Sequence, residues 1–310
     1  MESTDIAIII PCFNEAPRIA RLIDDLAPHV AELGSVSVVL INDGSSDSTL
    51  DELRRLSADF EWVNWLSFTR NFGKEAAMLA GIDWAASRGA AALIMDADGQ
   101  HPPAVAREMI DAYRAGSTHI VAQRNRADEA RSRRLLARVA YGVMSRITQV
   151  DLVNGQGDFR LLAPDLVGAL SALPERNRFS KGLYSWLGDP DLVLDFEPVA
   201  ELEQRPSSWS LSALLNYSID GITSFNDRPL RTILLTGIAT GVATLGYLVI
   251  MLIVVARDGV EVPGYLTTIF AVTILGSLQL ISLGVIGEYV GRILVEVKDR
   301  PAYLVRERSE

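Results

Sequence analysis

Two stretches near the end of the chain, residues 232–256 and 265–287, contain no charged side chain. Each is long enough as a helix to cross a hydrocarbon core of about 30 Å. A folded core in water would have to bury both runs completely, and their length weighs against that. Residues 257–264 make only a short connection, so the two runs are expected to form a helical hairpin with both ends on one side. Arg228 and Arg231 precede the hairpin, and Arg292, Lys298 and Arg300 follow it. The connecting segment sets one arginine, Arg257, against Asp258 and Glu261. The bias of basic residues toward the cytoplasm then places the rest of the chain inside, in a multi-pass protein of the inner (plasma) membrane.

The remaining two thirds have the composition of a soluble protein. The 310 residues suffice for one large α/β domain plus the hairpin. One cysteine, Cys12, excludes a disulfide framework and a Cys-rich metal site, and its place after an apolar run suits a small packing residue. The first residues are polar and the apolar run after them is too short for a signal peptide. A net charge of −10 argues against a general nucleic-acid binder.

Short apolar runs alternate with segments of helical period. Residues 5–11, 37–41, 62–68, 91–95 and 119–122 read as strands, and 16–33, 48–58 and 75–87 as helices between them. Pro102-Pro103 opens another helix. Strands and helices of these lengths imply right-handed βαβ units and a mostly parallel, Rossmann-like sheet. Residues 157–162 read as a turn entering an edge strand. Residues 130–150 read as a basic amphipathic helix, and 211–225 as a second amphipathic stretch. The expected organisation is a catalytic domain over 1–205, a juxtamembrane segment over 206–230, the hairpin within 231–290, and a cytoplasmic tail over 291–310.

The polar residues gather after the strands. Asp43, Asp96, Asp98 and Arg124 all fall there, and ligands of parallel α/β sheets collect beyond the carboxyl ends of the strands. Asp96 and Asp98 are hard oxygen ligands suited to Mg²⁺ or Mn²⁺, which complete their shells with substrate phosphates and water. Gln100 could add a third oxygen. A polar turn ending a strand is the plain alternative, and for each of these residues a helix cap or solvated turn is the structural one. No Gly-x-Gly-x-x-Gly or Walker motif is present, which weighs against dinucleotide binding and a P-loop. His101 could bind metal, although beside Pro102 it suits a turn. Lys74 could approach a phosphate or cap a helix, and the sequence leaves both open.

The ordered motifs resemble a known family. They are Ile9-Ile10-Pro11-Cys12-Phe13-Asn14-Glu15, Asn42-Asp43-Gly44-Ser45-Ser46-Asp47, Arg70-Asn71-Phe72-Gly73-Lys74-Glu75-Ala76, Met95-Asp96-Ala97-Asp98 with Gln100-His101-Pro102, and Gly157-Asp158-Phe159-Arg160-Leu161. Together they resemble the family 2 inverting glycosyltransferases of GT-A fold, and within them the polyprenyl-phosphate branch. Pro174-Glu175-Arg176-Asn177-Arg178-Phe179, Gly287-Glu288-Tyr289-Val290-Gly291-Arg292 and Glu296-Val297-Lys298-Asp299-Arg300-Pro301 are similar to the bactoprenol members more than to the dolichol-phosphate ones. The likeness covers nearly the whole chain.

The resemblance implies that Pro11, Phe13 and Glu15 line the nucleoside pocket and that Asp43 reads the base or ribose. Asp96, Ala97 and Asp98 would hold the diphosphate and metal, with Gln100 also near the metal and Arg124 near a phosphate. Asp158 occupies the position often assigned to a catalytic base. Phe13 stands where tyrosine is common, and Gly99 where leucine is usual. The loop Arg205-Pro206-Ser207-Ser208-Trp209 lacks the glycine and lysine seen in relatives.

The implied reaction moves a hexose, UDP-glucose being the expected donor, onto polyprenyl (undecaprenyl-type) phosphate for cell-envelope glycosylation. GDP-mannose, a UDP-N-acetylhexosamine or a modified sugar is the alternative donor, and a non-catalytic membrane scaffold the alternative class. Arg131, Arg133 and Arg205 are candidates for the acceptor phosphate, because guanidinium matches phosphate geometry. For the Arg131 cluster, attraction to anionic lipid is the competing role. The acceptor is already ionised, so Asp158 is expected to position a cation or the acceptor rather than remove a proton. Small residues at Gly237, Gly241 and Gly276 permit close helix packing in a homo-oligomer.

Overall fold

The computed structural model describes residues 5–31, 33–124, 156–176, 178–197, 199, 228–258 and 264–309. The expected amphipathic segments 130–150 and 211–225, and with them Arg131, Arg133 and Arg205, lie outside the described residues.

The organising strand is β1 (Ile6–Cys12), five apolar residues followed by Pro11 and Cys12. With no polar residue to turn toward water, it must lie inside a sheet covered on both faces. It pairs in parallel with β2 (Val36–Asn42) on one side and β4 (Ala91–Ile94) on the other. β3 (Val63–Phe68) extends the parallel set beyond β2. On the far side lie β6 (Gln156–Leu162), β5 (His119–Arg124) and β7 (Leu192–Phe196). The complete sheet has eight strands in the order β7-β5-β6-β4-β1-β2-β3-β8, β8 being Val305–Arg308.

Alternate residues of the strands feed two cores. Ile6, Ile8 and Ile10 face the layer of α1 (Ala16–Ala31), α2 (Thr49–Asp59) and α4 (Pro103–Arg114). Ala7 and Ile9 face α3 (Lys74–Ala86) and α5 (Pro164–Ala172). The helix α3 buries Ala76, Ala77, Met78, Leu79, Ala80 and Ile82, because it is covered by the sheet and by α5. Gly81 lets it sit close: a β-carbon there would lie 2.2 Å from Cγ2 of Ile9.

The expected edge strand at 157–162 is corrected by the structure. β6 lies inside the sheet, antiparallel to both β4 and β5, and Phe159, Leu161 and Leu162 are fully or almost fully buried. A charged residue in the middle of the run, Arg160, suggests an edge, but it is 4% exposed and held by internal partners. The edges are β7 and β8.

A short helix α6 (Ser180–Trp186) precedes β7. The C-terminal region consists of two long helices, α7 (Arg228–Asp258, 31 residues) and α8 (Tyr265–Val297, 33 residues). At 1.5 Å per residue these span about 46 and 50 Å. Within α8, Ala271–Val297 has the length and composition to cross a membrane, and none of it is buried. After α8 the chain returns to the sheet. The Glu296 carboxylate accepts the backbone N–H of Arg176 at 2.9 Å, and the Arg176 guanidinium pairs with Asp299. Tyr303 stacks on Phe68 and donates its hydroxyl to Asp83 at 2.8 Å. β8 then adds to β3, antiparallel.

Candidate active site

The loops after β1, β2, β3 and β4 form one connected surface. After β1, the Asn14 backbone N–H donates to Ser45 Oγ at 3.0 Å, and Asn14 Oδ1 accepts the Ser46 N–H at 2.9 Å. The Glu15 N–H donates to Thr49 Oγ1, and its carboxylate pairs with Arg18 at 3.2 Å. Phe13 is 45% exposed, which leaves its ring face available for stacking, whereas Ala97 is buried. Pro11 lies opposite Ile41 in the β1–β2 register.

Asp43, at the end of β2, is buried and grips the loop that precedes α3. Its two oxygens accept the backbone N–H groups of Phe72 at 2.6 Å and Gly73 at 2.9 Å. Burial raises its pKa against those two hydrogen bonds and the nearby Arg70. Gly44 makes the approach possible: its φ is +62°, and a β-carbon there would sit 2.3 Å from the Arg70 carbonyl carbon.

That grip delivers Lys74, the first residue of α3, into the crevice. Its Nζ lies 2.6 Å from Asp96 Oδ1 and 2.7 Å from Asp158 Oδ2. One ammonium thus bridges the carboxylate after β4 and a carboxylate in β6. Burial opposes the charge on Lys74, but Asp158 and Asp96 outweigh it and raise its pKa. Burial alone would also raise the pKa of Asp158. Lys74, with Lys181 and Arg160 beyond it, overcomes that and holds Asp158 below the usual carboxylate range. Asp158 is therefore an ionised, paired group.

Asp98 Oδ1 accepts the Gln100 N–H at 3.0 Å, closing the turn around Gly99. Gln100 Oε1 faces Nη1 of Arg124 at 3.4 Å. The Asp96 N–H donates to Nδ1 of His101, whose ring stacks on Phe159 with centroids 4.3 Å apart. Burial lowers the His101 pKa and keeps it neutral, in a turn-holding role. The Asp96 and Asp98 oxygens with Gln100 form a small, hard donor set. It fits a Mg²⁺- or Mn²⁺-type ion that takes one or two carboxylates and fills its shell with phosphate and water. No group of three or more His, Cys, Asp or Glu side chains placed to hold a metal exists among the described residues, so an all-protein cage is not formed there.

The structure thus joins Asp96 to Asp158 through Lys74, joins Asp98, Gln100 and Arg124, and ties Asp43 to the same centre through the backbone before Lys74. Sequence reasoning left Lys74 open and did not single out two supports, the part-buried Glu75 and the buried Arg160. Glu75, its pKa raised by burial, accepts the Ser180 N–H at 3.1 Å and its hydroxyl. Arg160 packs its guanidinium 3.6 Å from the centre of the Tyr184 ring, donates to the Gly157 carbonyl, and meets His119 Nε2 at 3.3 Å. Because arginine only donates, Nε2 must accept and Nδ1 carries the His119 proton. Burial and Arg160 together push the His119 pKa down to about 4.

Residues 7–164 match the glycosyl transferase family 2 domain, and residues 228–293 match the GtrB C-terminal hairpin. The chain belongs to glycosyl transferase family 2: it is a glycosyltransferase with a GT-A-like, mostly parallel sheet. It is 43% identical over 305 residues to CsbB of Bacillus subtilis (strain 168), covering 98% of this chain and 92% of that protein. It is 36% identical over 312 residues to the bactoprenol glucosyl transferase of Shigella phage SfII, covering 97% of each. Among solved structures it is similar to glucosyl-3-phosphoglycerate synthase from Mycobacterium tuberculosis in complex with Mn²⁺, UDP and phosphoglyceric acid. There the identity is 19%, the coverage 71% of this chain and 76% of that one, and the TM-score 0.48. The hairpin match and the apolar segment of α8 associate the chain with a membrane.

Proposed function

We propose that this enzyme transfers a hexose from a nucleotide-sugar, UDP-glucose first among donors, to polyprenyl (undecaprenyl-type) phosphate, inverting the anomeric carbon. The carrying observation is the meeting of Asp96, Asp158 and Lys74 beside Asp98, Gln100 and Arg124, in a chain that also has an apolar hairpin. Near-full-length similarity to a protein named bactoprenol glucosyl transferase supports the acceptor and the sugar. The domain organisation follows: a cytoplasmic catalytic domain over 1–205, a juxtamembrane segment over 206–230, two spans near 232–256 and 265–287, and a cytoplasmic tail. A lipid phosphate sits at headgroup level, so the hairpin keeps the crevice where its acceptor is.

An acceptor phosphate oxygen bonds to the anomeric carbon as the bond from that carbon to the donor diphosphate breaks. The nucleoside diphosphate carries the electron pair away. Charge therefore grows on the leaving diphosphate, through a transition state with oxocarbenium character. A Mg²⁺ or Mn²⁺ ion, when held by Asp96, Asp98 and Gln100, supplies positive charge to that diphosphate. Arg124 holds phosphate oxygens, as Arg131, Arg133 and Arg205 are proposed to do for the acceptor. Phe13 offers a stacking face to the base, with Pro11, Glu15 and Ala97 walling the nucleoside pocket. Asp43, expected to read the base or ribose, is buried with both oxygens on the Phe72 and Gly73 N–H groups and shapes the pocket through that loop. Asp158 accepts no proton, since the acceptor arrives ionised; it holds Lys74.

The test is transfer from radiolabelled UDP- and GDP-sugars to polyprenyl phosphate in detergent, with Mg²⁺, Mn²⁺ or EDTA. One UDP-hexose should give a metal-dependent, lipid-extractable product. Asp98→Ala should lower it by about 100-fold or more, the scale of losing a transition-state charge partner. Asp158→Asn should retain partial turnover. An Asp158→Asn enzyme that binds both substrates and turns over neither refutes the positioning role, and no lipid product from any donor refutes the acceptor.

A further inference from the structure

We infer that Lys74 is a switching counter-cation: it neutralises Asp96 and Asp158 while the donor site is empty, and turns to the donor diphosphate once a divalent ion takes Asp96. This rests on the reading of Asp96 and Asp98 as the metal-holding pair. Three features carry it. The first is charge. A single ammonium contacts two carboxylates, at 2.6 and 2.7 Å, so a divalent ion arriving at Asp96 meets a cation already in contact with it. Both cannot keep the same oxygen without repelling each other.

The second is access. The Lys74 side chain is 45% exposed, against 31% for Asp96 and 15% for Asp158. Of the three side chains Lys74 is therefore the one most open to solvent, so it can move without first displacing either carboxylate. The third is the hinge. The backbone ahead of Lys74 is fixed by the two hydrogen bonds to Asp43, while the four-carbon stem stays free to swing. An ammonium has three donors, so Lys74 can keep Asp158 and still offer N–H groups to phosphate. Asp158 then serves as the pivot of the swing.

The prediction is a pair of effects of opposite sign, which a merely structural lysine cannot give. Full-length protein in detergent is titrated with Mn²⁺ alone, followed by electron paramagnetic resonance. It is then titrated in Mn²⁺ with UDP and with GDP, taking whichever the wild type binds. Lys74→Met should tighten Mn²⁺ alone by roughly 5- to 10-fold, the scale of one unit charge removed at contact distance near solvent. The same substitution should weaken nucleoside diphosphate by about 10-fold. Lys74→Arg, which keeps the charge, should lie closer to wild type in both titrations. Effects of one sign in both titrations, or none in either, overturn the inference while leaving the metal reading intact. The metal reading has its own control in Asp98→Ala. If that variant binds Mn²⁺ as wild type does, the metal lies elsewhere, and both readings fall.

Discussion

The sheet and the C-terminal hairpin are built from the same aliphatic residues in opposite surroundings. In the sheet, Ile6, Ile9, Val39 and Leu93 are 0% exposed. In α8, Leu280 is 72% and Leu283 63% exposed, with none of the apolar segment covered by the rest of the chain. Within the sheet, burial against neighbours supplies the stabilisation. Along the described apolar segment of α8 no residue reaches that degree of burial, which suits association with a membrane. The lesson is that hydrophobicity alone does not say what a segment packs against. Run length does: the sheet strands have four to seven residues, set by one domain's thickness, and the helices are several times longer.

The sharpest way to break this contrast is to truncate one leucine in each region. Leu93→Ala should cost about 2–5 kcal/mol of domain stability, because the cavity it leaves is closed on both faces. Leu283→Ala should scarcely move the same denaturant midpoint. Equal effects would mean that the hairpin is a protein core after all. A charge tests the hairpin from the other side. Leu283→Asp should weaken membrane association by about 3 kcal/mol, read as release in alkaline carbonate extraction. A fully retained protein would count against this segment being the anchor.

Acid should touch the sheet alone. The folded pKa of His119, about 4, lies below its ordinary 6.5, so the unfolded chain takes up the proton first as pH falls. Stability present above pH 6.5 is therefore lost on the way down to about pH 4, by up to roughly 3 kcal/mol. Urea midpoints at pH 7 and 4.5 should move less in His119→Gln than in wild type. The smallest effect concerns the link between the regions. Tyr303→Phe removes one hydrogen bond to Asp83, which keeps its bond from Ser171 at 2.6 Å. About 1 kcal/mol should be lost, seen as faster hydrogen exchange in β8.

Much of this molecule was legible in order along the chain. Continuous apolar runs bounded by turns located β1 to β5, and the positions just after them held Asp43, Asp96 and Asp98, with Arg124 the last residue of β5 itself. What could not be read comes from residues far apart. Lys74 acquires its meaning from Asp158, 84 positions away, and local pattern cannot distinguish that bridge from a helix cap. β6 looked peripheral because it carries Arg160, whose burial is tolerated only through His119, Gly157 and Tyr184. β8 reads Val-Arg-Glu-Arg, the pattern of a solvated tail. Its charges suit an outermost strand, and only the backbone ladder with β3 fixes it there.

That ladder has a kinetic meaning. Ser309 and Trp65, which exchange hydrogen bonds at the end of it, are 244 positions apart. During synthesis β3 must wait, one side unpaired, until both long helices have been made. Pairing of such long range is slow to form and leaves an open edge exposed to other chains meanwhile. The sheet therefore stays open at β3 until both long helices have been synthesised, and its last strand arrives only after them.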